Sequence, residues 1–311
     1  MDSPKTLLNY WGLNDIAFEQ QQLDHFFKKA LDRILTLFDE CNIKATFFLI
    51  ADDIKHSETG RELTLKAHAQ GHEIANHTTT HPLKLSTLNN TDIKHEILNC
   101  SDLIKSITGE SPKGFRAPGY DISNNTIDIL EALYFTYDSS AFWSLLNPAF
   151  KYYHKFFSNS NVESGGFGQA TSQLSRTPYY PNKKNLYATG NPRKLIEIPL
   201  PRTVLGLPFY SNFHLTTPPL IRNYFTRYRH PRFLTYLFHL IEFVDQTDNI
   251  PSQLLRHPNL KTPIKIKMKV LKKIILALAN DYQTIRSDQL CASINIAKSC
   301  RTGDHALAVD R

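Results

Sequence analysis

The sequence predicts an α/β fold, a distorted (β/α) barrel, and three observations carry that expectation. Short β-branched and aromatic runs alternate with amphipathic stretches of helical period. Several of the runs end at a residue able to do chemistry, as barrel strands do. The 311 residues also suit one barrel, which takes about 250 residues before insertions.

Residues 23–40 (LDHFFKKALDRILTLFDE) place Phe26, Phe27, Ala30, Ile34 and Leu37 near one helical face. Residues 43–50 (IKATFFLI) read as a strand buried on both faces, as in a parallel sheet. A helix over 61–70 follows, then Gly71 and a short strand at 72–75. The spacing next predicts a helix over 92–108, a turn with Pro112 and Gly114, and a strand at 115–117 that stops at Pro118-Gly119. A helix over 126–133 and a strand at 134–138 continue the rhythm. It breaks over 141–192, a segment rich in Tyr, Phe, Ser, Asn and Gly that reads as an insertion forming a lid loop. Trp143, Phe150, Tyr152, Tyr153, Phe156, Phe157, Tyr179 and Tyr180 there either stack on a ligand or pack the loop onto the barrel. Strands at 195–200, 233–239 and 282–286, with helices at 220–228, 261–273 and 287–296, complete a barrel spanning 1–297, and 298–311 reads as a flexible tail.

Composition narrows the class. With 41% hydrophobic and 21% charged residues, the chain can bury a core. It has no apolar run of roughly 18 residues that would span a membrane. The start MDSPKTLLNYWG lacks the basic and apolar pattern of a secretory signal. Cys41, Cys100, Cys291 and Cys300 form no C-x-x-C pair, so free thiols and a cytoplasmic location are expected. The net charge of +7 comes from interleaved signs, which favours solubility over a nucleic-acid partner. One stretch departs from this. Lys261 to Lys273 carries six lysines among aliphatic residues, a solvated helix face or a peripheral contact with the inner face of a membrane.

Four segments could carry chemistry. Asn76-His77-Thr78-Thr79-Thr80-His81-Pro82 follows a strand, and histidines four apart on a helical turn suit two imidazoles on one zinc-like ion. Gly114-Phe115-Arg116-Ala117-Pro118-Gly119-Tyr120 aims an arginine into the mouth from a tight turn, where it can grip a carboxylate. Tyr137-Asp138-Ser139-Ser140 places an acid at a strand end, and His239 emerges from the apolar run Tyr236-Leu237-Phe238. In a parallel barrel all four ends converge on one mouth.

Together with Lys44-Ala45-Thr46-Phe47-Phe48 and Gly71-His72-Glu73-Ile74-Ala75-Asn76-His77, these segments resemble, in order and spacing, the NodB-type polysaccharide deacetylases. The resemblance runs from about Asp2 to about Leu290. It implies a zinc-type hydrolase that removes N-acetyl or N-formyl groups from an amino-sugar polysaccharide or lipid-linked glycan. By it, His77, His81 and Asp2 are metal ligands, Arg116 orients a catalytic Asp with Asp138 supporting it, His239 is the general acid, and the Gly119 amide helps hold the oxyanion. The family's first motif carries two Asp residues, one the base. Before Trp11 this chain offers only Asp2, with Asp15 a weaker candidate beyond it. The base and the first strand are therefore expected to be missing or to lie upstream. Loss of a base costs about 10²–10⁴-fold in rate. The alternative expectation is thus a glycan-binding pseudoenzyme of the same fold.

Overall fold

The apolar run around Phe47 becomes β1 (Thr46–Leu49), which pairs in parallel with β2 (Glu73–Asn76). The computed structural model describes residues 1–10, 19–147, 170–203, 205–227 and 232–294. With β3 (Gly114–Phe115), β4 (Tyr137–Asp138) and β5 (Ile196–Glu197), the strands form one all-parallel sheet in the order β1-β2-β3-β4-β5. Strands adjacent in sequence are adjacent in space, as crossover connections require. The register sets Leu49 beside Asn76, Asn76 beside Phe115, Phe115 beside Asp138, and Asp138 beside Glu197. That row is the C-terminal rim of the sheet. The residues that follow it, His77, Arg116 and Ser139 among them, leave on one side.

The helices are α1 (Pro4–Tyr10), α2 (Gln20–Glu40), α3 (Ala51–Ile54), α4 (Glu58–Ala69), α5 (Asn90–Thr108), α6 (Asn124–Ala132), α7 (Ser211–Thr216), α8 (Pro219–Arg227), α9 (Ile264–Asp281) and α10 (residues 287–294). Side-chain caps fix where three of them start. Ser57 accepts from the Gly60 N–H, Asn89 from Asp92 and Ser123 from Thr126, each worth about 1 kcal/mol. The main core lies under α2, whose Phe26, Phe27, Ala30, Leu31, Ile34 and Phe38 pack with Phe47 and Leu49 of β1 and with Leu271 and Ile275 of α9. Each such large side chain contributes roughly 1.5–3 kcal/mol by leaving water. Gly114 is required by packing, since a Cβ there would lie 1.8 Å from the Tyr137 ring.

Three sequence expectations need correction. Residues 233–239 are not a strand: the segment joins no ladder and ends in a 3₁₀ turn, Leu240–Phe243. Its β-forming side chains are used in ring packing instead, Tyr236 on Phe238 and Phe238 on Phe38 and Phe243. Residues 282–286 are not a strand either. Beyond them the Ser287 and Asp288 N–H groups bond the side chains of Thr46 and Glu73 rather than a neighbouring backbone. The lysine-rich helix extends to Asp281, and Lys267 is fully buried on it, donating to the Val244 carbonyl. Of the expected insertion, 148–169 lie outside the described residues, as does the tail 298–311. Residues 179–197 fold back on the sheet, where Tyr179 and Glu197 exchange backbone bonds of 3.0 and 2.8 Å.

Candidate metal centre and active-site cavity

The loop after β2 is held open rather than wound into a helical turn. Thr78 (φ 68°) and His81 (φ 60°) both adopt left-handed backbone, which costs a side chain of order 1–3 kcal/mol. Glu96 of α5 offsets that strain by accepting the Thr79 and Thr80 N–H groups, each at 2.9 Å, and the Thr80 hydroxyl at 2.7 Å. Asn76 caps the loop from the other end, taking the Thr78 N–H at 2.9 Å. The outcome brings the His77 and His81 rings to 5.0 Å, nearly perpendicular at 79°. The spacing of four read from the sequence is right, while the helical turn expected to produce it is replaced by two left-handed residues.

Asp2 joins them. Ligand atoms of Asp2, His77 and His81 all lie within 4.8 Å of one another. Asp2 is held by its neighbours: Ser3 donates through its amide at 2.9 Å and its hydroxyl at 2.6 Å to the Asp53 carboxylate, which Thr6 also bonds at 2.8 Å. The Met1 amino group bonds the Phe48 carbonyl. His77 Nδ1 lies 2.6 Å from the Arg116 carbonyl, so that nitrogen carries the proton and Nε2 keeps its lone pair. Burial lowers the pKa of both imidazoles, His77 well below its ordinary value, which keeps them neutral and able to ligate. At Asp2, burial acts to raise the carboxyl, but the Met1 ammonium and His81, His77 and His239 outweigh it and the pKa is lowered.

These three groups line a cavity of about 270 Å³ together with Arg116, Gly119 and His239. Arg116 leaves β3 and is fixed by Ser139, its Nε bonding the carbonyl and an Nη the hydroxyl, both at 2.8 Å. Its guanidinium stacks 4.0 Å above the Phe48 ring. Asp138 was expected to support Arg116 and does not bond it. It lies fully buried behind the cavity beside Glu197, taking the Ser140 hydroxyl at 2.6 Å. Burial raises both carboxyls, Glu197 well above the ordinary range because the charge of Asp138 adds to it. Glu197 therefore carries a proton it can share with Asp138, which accounts for the otherwise unpartnered Oδ2 and Oε2 atoms. Gly119 (φ 57°) and Tyr120 (φ 64°) make the tight turn at the mouth, and both line the cavity.

On the opposite wall, His239 faces Glu242 on the turn that follows it. The carboxylate takes the His239 N–H at 3.1 Å and lies 3.4 Å from Nδ1, while the Ser211 hydroxyl also bonds it. Burial works against the imidazolium, but Glu242 outweighs it and the His239 pKa is raised. Glu242 was missed from the sequence, though a lone acid three residues after His239 in an apolar run was its signal. Glu197 was missed too, and it stands out as the one acid in LIEIPL. Phe142, Tyr210 and Phe238 supply apolar walls. Of the expected lid aromatics, Trp143, Tyr179 and Tyr180 pack the fold, and Trp143 lies under Arg202 at 5.0 Å. Phe150, Tyr152, Tyr153, Phe156 and Phe157 lie outside the described residues, as does Asp15.

Known proteins resemble the chain over parts of its length. Residues 17–137 match the polysaccharide deacetylase family model. A peptidoglycan-N-acetylglucosamine deacetylase of Bacillus cereus is 30% identical over 102 residues, covering 33% of this chain and 34% of the relative. A chitooligosaccharide deacetylase of Bradyrhizobium is 35% identical over 86 residues, 27% of this chain and 37% of the relative. The chain thus spans little more than a third of those relatives' length. A structure from Mycobacterium smegmatis, assigned to the polysaccharide deacetylases, superposes over 88% of this chain and 79% of its own with a TM-score of 0.50 at 15% identity, a likeness of fold. Residues 17–137 therefore match the polysaccharide deacetylase family model, and the chain shares the α/β fold of the Mycobacterium smegmatis structure.

Proposed function

We propose that the chain is a metal-dependent hydrolase that removes N-acetyl or N-formyl groups from an amino sugar of a polysaccharide or lipid-linked glycan. One observation carries this reading: a carboxylate and two neutral imidazoles converge within 4.8 Å in the same cavity as an arginine and an acid-paired histidine. Two nitrogens and one oxygen with open positions beside them suit a zinc-type divalent ion. Held by Asp2, His77 and His81, such an ion supplies Lewis acidity toward an amide carbonyl.

The remaining steps fall to the chain's own groups. Glu242 keeps Nδ1 of His239 engaged and its pKa high, so Nε2 holds a proton to give the departing amine. That transfer is needed because an amide nitrogen leaves poorly as an anion. The N–H of Gly119, at the left-handed turn, serves as the oxyanion donor. Arg116, locked by Ser139 and Phe48, offers fixed positive charge to an acidic group in the mouth. Phe142 and Tyr210 give flat faces for a sugar ring. The test is acetate or formate release from chito-oligosaccharides and peptidoglycan fragments with metal content measured in parallel. Undiminished metal in His77→Ala and His81→Ala would refute the ligand assignment.

A second reading has its own support. Among the described residues the only carboxylates lining the cavity are Asp2, in the donor set, and Glu242, on His239. With neither free to act as base, the site suits a module that binds N-acetylated glycans without cleaving them. Saturable glycan binding with no product, in a metal-loaded chain, would decide for it.

A further inference from the structure

The cavity leaves unexplained a second feature of the molecule, on helices α8 and α9. α8 buries Phe225 against Ile274 and Leu278 of α9, with Val270 completing the contact row. Its other apolar side chains face solvent: Leu220 is 84% exposed, and Ile221 and Tyr224 are also exposed. Around the helix these four residues follow one another from Phe225 through Ile221 and Tyr224 to Leu220, one continuous apolar arc at about 100° per residue. Joined in one arc, these exposed side chains form a contiguous apolar patch of the kind that marks an interaction surface.

α9 supplies the charge. Of the six lysines between Lys261 and Lys273, Lys267 is buried and Lys272 pairs with Glu40 at 2.9 Å. Lys261, Lys265, Lys269 and Lys273 are exposed and have no acidic partner among the described residues. Lys269 and Lys273 each precede a member of the contact row by one residue, so their arc borders the one that α8 covers. Ile266 and Leu276 lie exposed on that same arc. Apolar side chains interleaved with unpaired lysines match a surface that is anionic outside and apolar beneath.

We infer that α8 and the lysine face of α9 dock the protein on an anionic lipid bilayer, with Leu220, Ile221 and Tyr224 entering the interface and Lys265, Lys269 and Lys273 meeting the headgroups. The contact is peripheral: no helix among the described residues is long and apolar enough to cross a membrane. A second copy of the chain is disfavoured as occupant because its own lysines would be repelled, and nucleic acid would leave the exposed Leu and Ile unused. Each lysine near such a surface is worth about fivefold in partitioning.

The test is co-sedimentation of the full chain with phosphatidylcholine vesicles, with or without phosphatidylglycerol. Binding to the anionic vesicles alone is expected, weakening steeply with salt. Lys265→Gln, Lys269→Gln and Lys273→Gln combined should weaken it about 10²-fold. Leu220→Ser, Ile221→Ser and Tyr224→Ser combined should also weaken it, measured well below the variant's own thermal midpoint because Tyr224 also packs on Phe225. Equal binding to both vesicle types, binding untouched by either triple variant, tighter binding to duplex DNA than to vesicles, or self-association abolished by the serine variant would each overturn the inference. Metal content and the Asp2, His77 and His81 cluster are separate readouts, so this result stands apart from the fate of the hydrolase reading.

Discussion

The two ends of the sheet treat buried polar groups in opposite ways. At the N-terminal end, Glu73 of β2 takes the Tyr137 hydroxyl at 2.9 Å, the Thr46 hydroxyl at 2.7 Å and the Asp288 N–H at 3.1 Å. Its donors come from three parts of the chain, and the carboxylate is spent on holding them together. At the C-terminal end, Asp2 and the two imidazoles converge with no hydrogen bond among the three; His77 is fastened from behind by the Arg116 carbonyl, and Asp2 is placed by the bonds of Ser3 to Asp53. Both ends bury ionisable groups at a desolvation cost. The two ends are told apart by their lone pairs: those of Glu73 are satisfied within the fold, while those of Asp2, His77 and His81 face an open cavity, where they are available to a ligand.

Four measurements bear on that contrast. The largest effect is expected where the lone pairs converge. His77→Ala or His81→Ala should lower bound divalent metal to below about one-tenth and hydrolysis by about 10³-fold, with thermal stability in chelator little changed. Metal analysis and product release check both.

His239→Ala should cost about 10²–10⁴-fold in kcat. Glu242→Gln should move the alkaline limb of the kcat/KM profile to lower pH, because the raised His239 pKa depends on that carboxylate. An imidazole titration followed by NMR gives the same shift without turnover, and an unmoved titration would remove Glu242 as the positioning residue.

At the other end, Tyr137→Phe should destabilise the fold by about 1–3 kcal/mol in urea, since Glu73 loses a buried donor, and leave metal content unchanged. A change in metal binding would erase the distinction between the two ends.

The smallest effect is the pH dependence from Glu73, whose pKa is raised from 4.5 to about 7 by burial first and by the Asp288 charge second. Protonated Glu73 suits the fold better than ionised Glu73. Its contribution is therefore whole below about 4.5 and fades as pH rises through about 7. The unfolding free energy from urea titrations should fall across that window by about 3 kcal/mol at most, and the fall should flatten in Glu73→Gln.

Much of the site was readable because strand ends converge in a parallel sheet. Knowing that His77, Arg116 and Asp138 terminate strands suffices to gather them at one rim, and the register does so. The readings that failed are those where side chains compete for a role. Residues 233–239 have strand composition, yet their rings were claimed by Phe38 and Phe243, so no ladder formed. Asp138 has the position of an arginine's partner, but Ser139 reaches the guanidinium and Glu197 engages the acid. Neither outcome is local, because each depends on which groups from distant segments arrive first within hydrogen-bond reach.

Local pattern alone carried the alternation of strands and helices, the rim where chemistry gathers, and the His77–His81 pair with Arg116, since periodicity and strand ends belong to short segments. Asp2 beside the histidines was implied by the family resemblance, whereas Glu242 serving His239 and the set of unpaired lysines on α9 emerged from long-range packing alone. Those depend on contacts between residues far apart in the chain, where burial and competition for hydrogen bonds settle a role that no local pattern encodes.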